Sequence, residues 1–116
     1  MIKFEVIFLT EAREFLLGLD EKTRSKIIFN IDKAKIKNDK DLFKKLKEEI
    51  WEFRTLYNKK QIRIFAFWDK TKKKETIVLT THGIVKKTSK TPSKEIEKAE
   101  NIRSLYFKSK NEGYGK

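Results

Sequence analysis

The chain has 116 residues, 29 of them lysine or arginine against 17 aspartates and glutamates, which leaves a formal net charge of +12. That length suits one hydrophobic core rather than two, and a hydrophobic fraction of 38% with nine Phe and two Trp separates the chain from disordered polycations, in which aromatics are scarce. Cysteine is absent, which excludes disulfide staples, thiolate metal ligands and cysteine nucleophiles.

Residues 2–9 mix apolar and charged side chains rich in strand formers and read as a strand. Lys3 and Glu5 interrupt the apolar run, so it has neither a signal-peptide nor a membrane-spanning pattern, and a cytoplasmic protein is expected. Thr10 is placed to cap a short helix over 11–17 that Gly18 closes, and Asp20 to cap a longer one running towards Lys37. Ile27, Ile31 and Ala34 form the buried stripe of that second helix. Residues 41–47 are expected to add a helical turn, with Leu42, Phe43 and Leu46 inward. Three strands follow, over 50–57, 61–69 and 75–86, and form an antiparallel meander. Pro92 suits the first turn of a last helix, which carries Ile96, Ala99, Ile102 and Tyr106 on one face. The expectation is a single α+β domain over 1–110: an N-terminal strand, two helices, a three-stranded meander completing the sheet, and a C-terminal helix. Residues 111–116, with two glycines and no periodicity, are expected to be a disordered tail.

A charge of +12 draws polyanions by displacing their condensed counterions. Nucleic acid is the first candidate partner, an anionic membrane surface the second and an acidic protein the third. In the strand from Trp51 to Tyr57, a period of two puts Trp51, Phe53 and Tyr57 on one face and Glu52 and Arg54 on the other. In the next strand Ile62 and Ile64 face one way, while Arg63 shares its side with Phe65 and Phe67. An arginine amid such residues is either a snorkelling or ion-paired side chain, with Glu52 across the ladder as a partner, or a phosphate clamp. A second arginine on the adjacent strand strengthens the clamp reading, because guanidinium groups bind phosphate in a bidentate fork. His82, the only histidine, lies near a strand end, with Gly83 allowing close approach; it reads as a hydrogen-bonded structural group or as a proton-transfer group. Lys86, Lys87, Lys90 and Lys94 are a solvated basic edge or a substrate contact. One histidine and no cysteine leave too few ligands for a metal site, and no cofactor motif is present.

The runs Ile50-Trp51-Glu52-Phe53-Arg54, Gln61-Ile62-Arg63-Ile64-Phe65 and His82-Gly83-Ile84-Val85-Lys86-Lys87-Thr88-Ser89-Lys90-Thr91-Pro92 together resemble the phage-derived HigB-like branch of the RelE/ParE toxin superfamily. The resemblance covers nearly the whole chain and is most specific in the last string. It implies the toxin of a type II toxin-antitoxin system, a ribosome-dependent mRNA endonuclease that inhibits translation by attack of a ribose 2′-hydroxyl without a metal. Its partners would be the ribosome, mRNA and a helix-turn-helix, HigA-like antitoxin. Residue by residue, Arg63 falls on the sheet arginine at the scissile phosphate, His82 and Lys86 on catalytic positions, and Arg54, Lys87 and Lys90 on RNA-binding ones. Some relatives place a catalytic tyrosine near the chain end, which neither Tyr106 nor Tyr114 clearly matches. A ParE-like gyrase inhibitor on the same fold, and a non-catalytic RNA-binding module with Phe65 and Phe67 stacking on bases, are the alternative readings.

Overall fold

Strand β4 (Lys60–Asp69) is central in a five-stranded sheet and explains its architecture. The computed structural model describes residues 3–71, 76–87 and 90–114, with side chains as far as Lys110. Successive side chains of a strand point to opposite faces. Ile62, Ile64 and Ala66 of β4 therefore join one apolar cluster, while Phe65 and Phe67 join another. A strand buried on both faces reads as the near-continuous apolar run seen here from Ile62 to Trp68.

β4 pairs antiparallel with β3 (Ile50–Tyr57) on one side and with β5 (Ile77–Lys86) on the other. β1 (Glu5–Phe8) adds parallel to β5 at one edge and β2 (Phe43–Lys47) antiparallel to β3 at the other, giving the order β1-β5-β4-β3-β2. β2 corrects the helical turn expected over residues 41–47, and the sheet has one strand more than the sequence reading counted. The cause is cross-strand pairing: Phe43 lies opposite Phe53, their rings stacked at 4.2 Å, and Lys44 lies opposite Glu52. Such pairs stabilise a sheet and are invisible in a short window. Leu42 and Leu46 are half-buried and Phe43 is buried, so the inward direction of these three holds. Glu48, with φ 52°, turns β2 into β3, while Asn58 and Lys59, with φ 53° and 65°, turn β3 into β4.

One face of the sheet is covered by α1 (Thr10–Leu17) and α2 (Glu21–Ile36). Thr10 is the first residue of α1 rather than its cap; Leu9 occupies the cap position and offers no side-chain bond. Asp20 caps α2 as expected, accepting from the Thr23 N–H at 3.1 Å and from the Thr23 hydroxyl at 2.7 Å. Ile27, Ile31 and Ala34 are buried beneath α2. Asn30 donates to the Thr55 hydroxyl oxygen at 3.1 Å and ties α2 to β3. Gly83 lets α1 approach: a Cβ there would meet the Phe15 ring at 2.4 Å.

The opposite face is partly covered by α3 (Ser93–Tyr114), through Ala99, Ile96, Tyr106 and Phe107 against Ile50, Phe65, Phe67 and Leu79. Pro92 sits just before the helix and accepts from the Glu95 N–H at 3.0 Å. The helix runs through residues 111–114, which the sequence reading placed in the tail; residues 115 and 116 lie outside the described residues. Among the described residues no helix is long and apolar enough to cross a membrane.

Candidate phosphate-binding site

The pleat that buries Phe65 also sends Arg63 to the α3 face, and the β3–β4 register puts Arg54 directly opposite Arg63. Two cations in cross-strand register repel unless something anionic stands between them. Glu52, two residues before Arg54 on the same face, fills that role: its carboxylate lies 3.6 Å from Arg54 Nε and 3.5 Å from Arg63 Nε. Thr91, just ahead of α3, donates its hydroxyl to the same carboxylate at 3.3 Å. The ion-paired reading of Arg63 is therefore realised, with the partner the ladder pointed to.

Arg63 is nearly inaccessible, its side chain 4% exposed, whereas Arg54 is 31% exposed. Arg63 donates to the Ile62 carbonyl at 3.1 Å and to the Gln61 side-chain oxygen at 2.9 Å. Its Nε and that of Arg54 are buried without a hydrogen bond, since the Glu52 contacts are longer than a good N–H to O bond. Burial lowers the Arg63 pKa and Arg54 lowers it further, while Glu52 opposes both; a guanidinium nevertheless stays charged at neutral pH. Both arginines line a cavity of about 240 Å³ with Asp41, Thr55, Leu56 and Gln61.

Lys86 closes the cluster from β5, its backbone paired with Gln61. Its pKa is lowered, first by burial, then by the charge of Arg63, and further by Arg54 and Lys44, with Glu52 acting against them. Four cationic side chains thus surround one buried carboxylate. Lys87 and Lys90 are exposed beyond the end of β5. Thr88 and Ser89, part of the string that carried the family resemblance, lie outside the described residues.

His82 is on β5 but in a separate setting. It is 3% exposed, stacked on Phe65 at 4.9 Å between ring centroids. Its Nε2 is 3.0 Å from Glu95 in the first turn of α3 and its Nδ1 3.0 Å from the Thr81 hydroxyl. A neutral ring protonated at Nε2 satisfies both contacts: it donates to Glu95 and accepts from Thr81. Burial lowers its pKa below the ordinary 6.5, and the hydrogen bond to Glu95 only partly offsets this. His82 thereby fastens the start of α3 to the sheet. Tyr106 donates to Asp69 at 2.6 Å, roughly 20 Å along β4 from Arg63 at about 3.3 Å per residue.

The structure brings Arg54, Arg63 and Lys86 together with Gln61 and Lys44, two residues not singled out as site residues from the sequence. Gln61, two residues from Arg63, was visible through the period of two. Lys44 becomes visible only once β2 is known to pair with β3. Among the described residues no group of three or more His, Cys, Asp or Glu side chains is placed to hold a metal ion.

No curated protein matches the chain. The model of the phage derived, Gp49-like protein family matches residues 14–104, a span that includes every candidate site residue. The chain belongs to the Gp49-like family, which is a RelE-like toxin family.

Proposed function

We propose that this Gp49-like chain is the toxin of a type II toxin-antitoxin system, of the HigB-like branch, and acts as a ribosome-dependent endonuclease on mRNA. The observation that carries this reading is the cross-strand pair Arg54 and Arg63, two guanidinium groups held by Glu52 in the wall of one cavity, with Lys86 on the adjacent strand.

The reaction is attack of a ribose 2′-hydroxyl oxygen on the adjacent phosphorus, with departure of the 5′ oxygen of the next nucleotide. It yields a 2′,3′-cyclic phosphate and a free 5′-hydroxyl. The 2′-oxygen gives its proton to solvent water and the departing oxygen takes one from Lys86, while negative charge gathers on the non-bridging oxygens of the phosphorane. Arg54 and Arg63 stabilise that charge, with Glu52 and Gln61 holding their guanidinium planes in place. Lys86 is the proton-transfer group, because burial and neighbouring cations bring an ammonium closer to neutrality and make it a better acid. Lys87 and Lys90 bind the strand. His82, bonded at both ring nitrogens, acts as a positioning residue through α3. A helix-turn-helix, HigA-like antitoxin neutralises the toxin, and the site of action is the cytoplasmic ribosome.

Mapping mRNA 5′ ends after induced expression tests the reading. New 5′-hydroxyl ends in a fixed position within codons are expected. Growth arrest with intact mRNA contradicts it, and arrest with DNA-damage induction instead identifies the gyrase-directed alternative.

A further inference from the structure

The second cavity of chemical interest lies at the other end of the strands. It has a volume of about 500 Å³ and is lined by Trp51, Trp68 and Phe107, by the cations Lys45, Lys70 and Arg103, and by Glu49 and Thr71. Both of the chain's tryptophans are in this wall. They meet edge to face at 5.7 Å between centroids, and both are half-buried rather than enclosed in the core. Arg103 and Phe107, four residues apart, share a face of α3. The Arg103 guanidinium carbon stands 5.2 Å from the Phe107 centroid, and Lys70 Nζ stands 5.0 Å from that of Trp68.

Three aromatic rings and three cations, set against Glu49 in the wall and Glu100, which holds Arg103 at 2.9 Å, form a surface suited to a flat ring carrying negative charge beside it. Every nucleobase has such a face, and every linked nucleotide carries a phosphate. The volume falls within the roughly 300–1,000 Å³ of small-ligand sites. Trp68 is five residues beyond Arg63 on β4, roughly 17 Å at the usual rise, and the edge strand β2 runs alongside with Lys44, Lys45 and Lys47 exposed. A strand of RNA following that edge meets cations between the two cavities.

We propose that the Trp51–Trp68–Phe107 cavity is an accessory site for an unpaired base of single-stranded RNA, distinct from the Arg54–Arg63 site. The stacking contacts hold the strand and carry no cleavage chemistry. The inference rests on the RNA-directed reading above only for the identity of the strand.

Because both tryptophans line the cavity, the intact protein carries its own reporter. Titration with a single-stranded hexaribonucleotide at low salt is expected to give saturable quenching of tryptophan emission. Phe107→Leu, which keeps apolar bulk against Phe67 but removes the ring, weakens binding roughly ten-fold, and Arg103→Gln weakens it independently should the first variant fold poorly. Lys22→Ala, exposed on α2 and outside both cavities, retains the quenching. Absence of quenching overturns the proposal, as does unchanged binding in both cavity variants. Equal quenching by polyphosphate overturns it in favour of simple charge attraction, and equal quenching by polyglutamate in favour of an acidic protein partner. A chain that quenches but does not cut mRNA upholds this site and contradicts the nuclease reading; a chain that cuts without quenching does the reverse.

Discussion

Two clusters of buried charge lie on the same face of β4, one around Arg63 and one around Asp69, and they differ in how completely their charges are matched. Asp69 is 2% exposed and accepts four hydrogen bonds: from Tyr106 at 2.6 Å, from Lys110 at 2.7 Å, and from the hydroxyl and N–H of Thr71 at 2.7 and 3.0 Å. Burial alone would raise its pKa, yet the bonds from Lys110, Tyr106 and Thr71 outweigh it and hold the carboxyl well below the usual range. At the other end, Glu52 faces Arg54 and Arg63 at ion-pair distance, and both Nε atoms remain without hydrogen bonds. A buried charge with every bond made belongs to the fold. Guanidinium donors left over beside a cavity are instead open to a ligand of the opposite sign, as the proposed function requires.

The contrast is sharpest in what each cluster controls. On the proposed nuclease reading, Arg63→Ala should lower mRNA cleavage per folded molecule by about 100-fold or more, the usual size for losing one donor to a developing anion, and should also cost stability because it breaks the buried pair with Glu52. Arg63→Lys restores only part of the cleavage, since an ammonium lacks the planar fork; single-turnover rates on programmed ribosomes measure both. Asp69→Ala acts on stability instead, costing about 2–3 kcal/mol because it strips a buried ion pair and its hydrogen bonds. Denaturant midpoints should register that loss, with cleavage per folded molecule unchanged.

The two clusters also respond differently to acid from the histidine between them. The folded state holds His82 below its ordinary 6.5, so the unfolded chain binds the proton more readily. Its contribution to stability is complete above pH 6.5 and shrinks as the pH falls from there towards the lowered folded value. Melting temperatures should drop between pH 7.5 and 5.5, and His82→Gln should flatten that slope. Asp69 adds a further loss only at lower pH, below the ordinary carboxylate value of 3.8, because its folded pKa is depressed. The smallest effects belong to the exposed lysines. Lys87→Ala and Lys90→Ala each reduce the slope of log affinity against log salt by about 0.7 for single-stranded RNA, as expected for one lost phosphate contact.

The difference between the clusters was only partly legible in the sequence. The period of two placed Arg54 and Glu52 on one face of β3 and Arg63 with Phe65 and Phe67 on β4, and both assignments hold because a pleated strand fixes side by parity alone. Register was not legible: nothing local says that Arg54 stands opposite Arg63 rather than two residues away. β2 was misread for the same reason, as Phe43 becomes a strand residue by stacking on Phe53. Asp69 went unnoticed as a functional contrast, because Tyr106 and Lys110 lie 37 and 41 residues further along. The partner of His82 was equally hidden, since Glu95 belongs to another element.

The most direct measurement compares cleavage rates of a defined mRNA on ribosomes for the wild-type chain, Arg54→Ala and Asp69→Asn, each corrected for folded fraction. Arg54 is the right probe because its side chain is partly exposed and reports on the site rather than on the core. Wild type and Asp69→Asn are expected to give 5′-hydroxyl ends at matching rates, and Arg54→Ala at a rate at least roughly ten-fold lower. Wild-type cutting by Arg54→Ala, or its loss in folded Asp69→Asn, would contradict the proposed function.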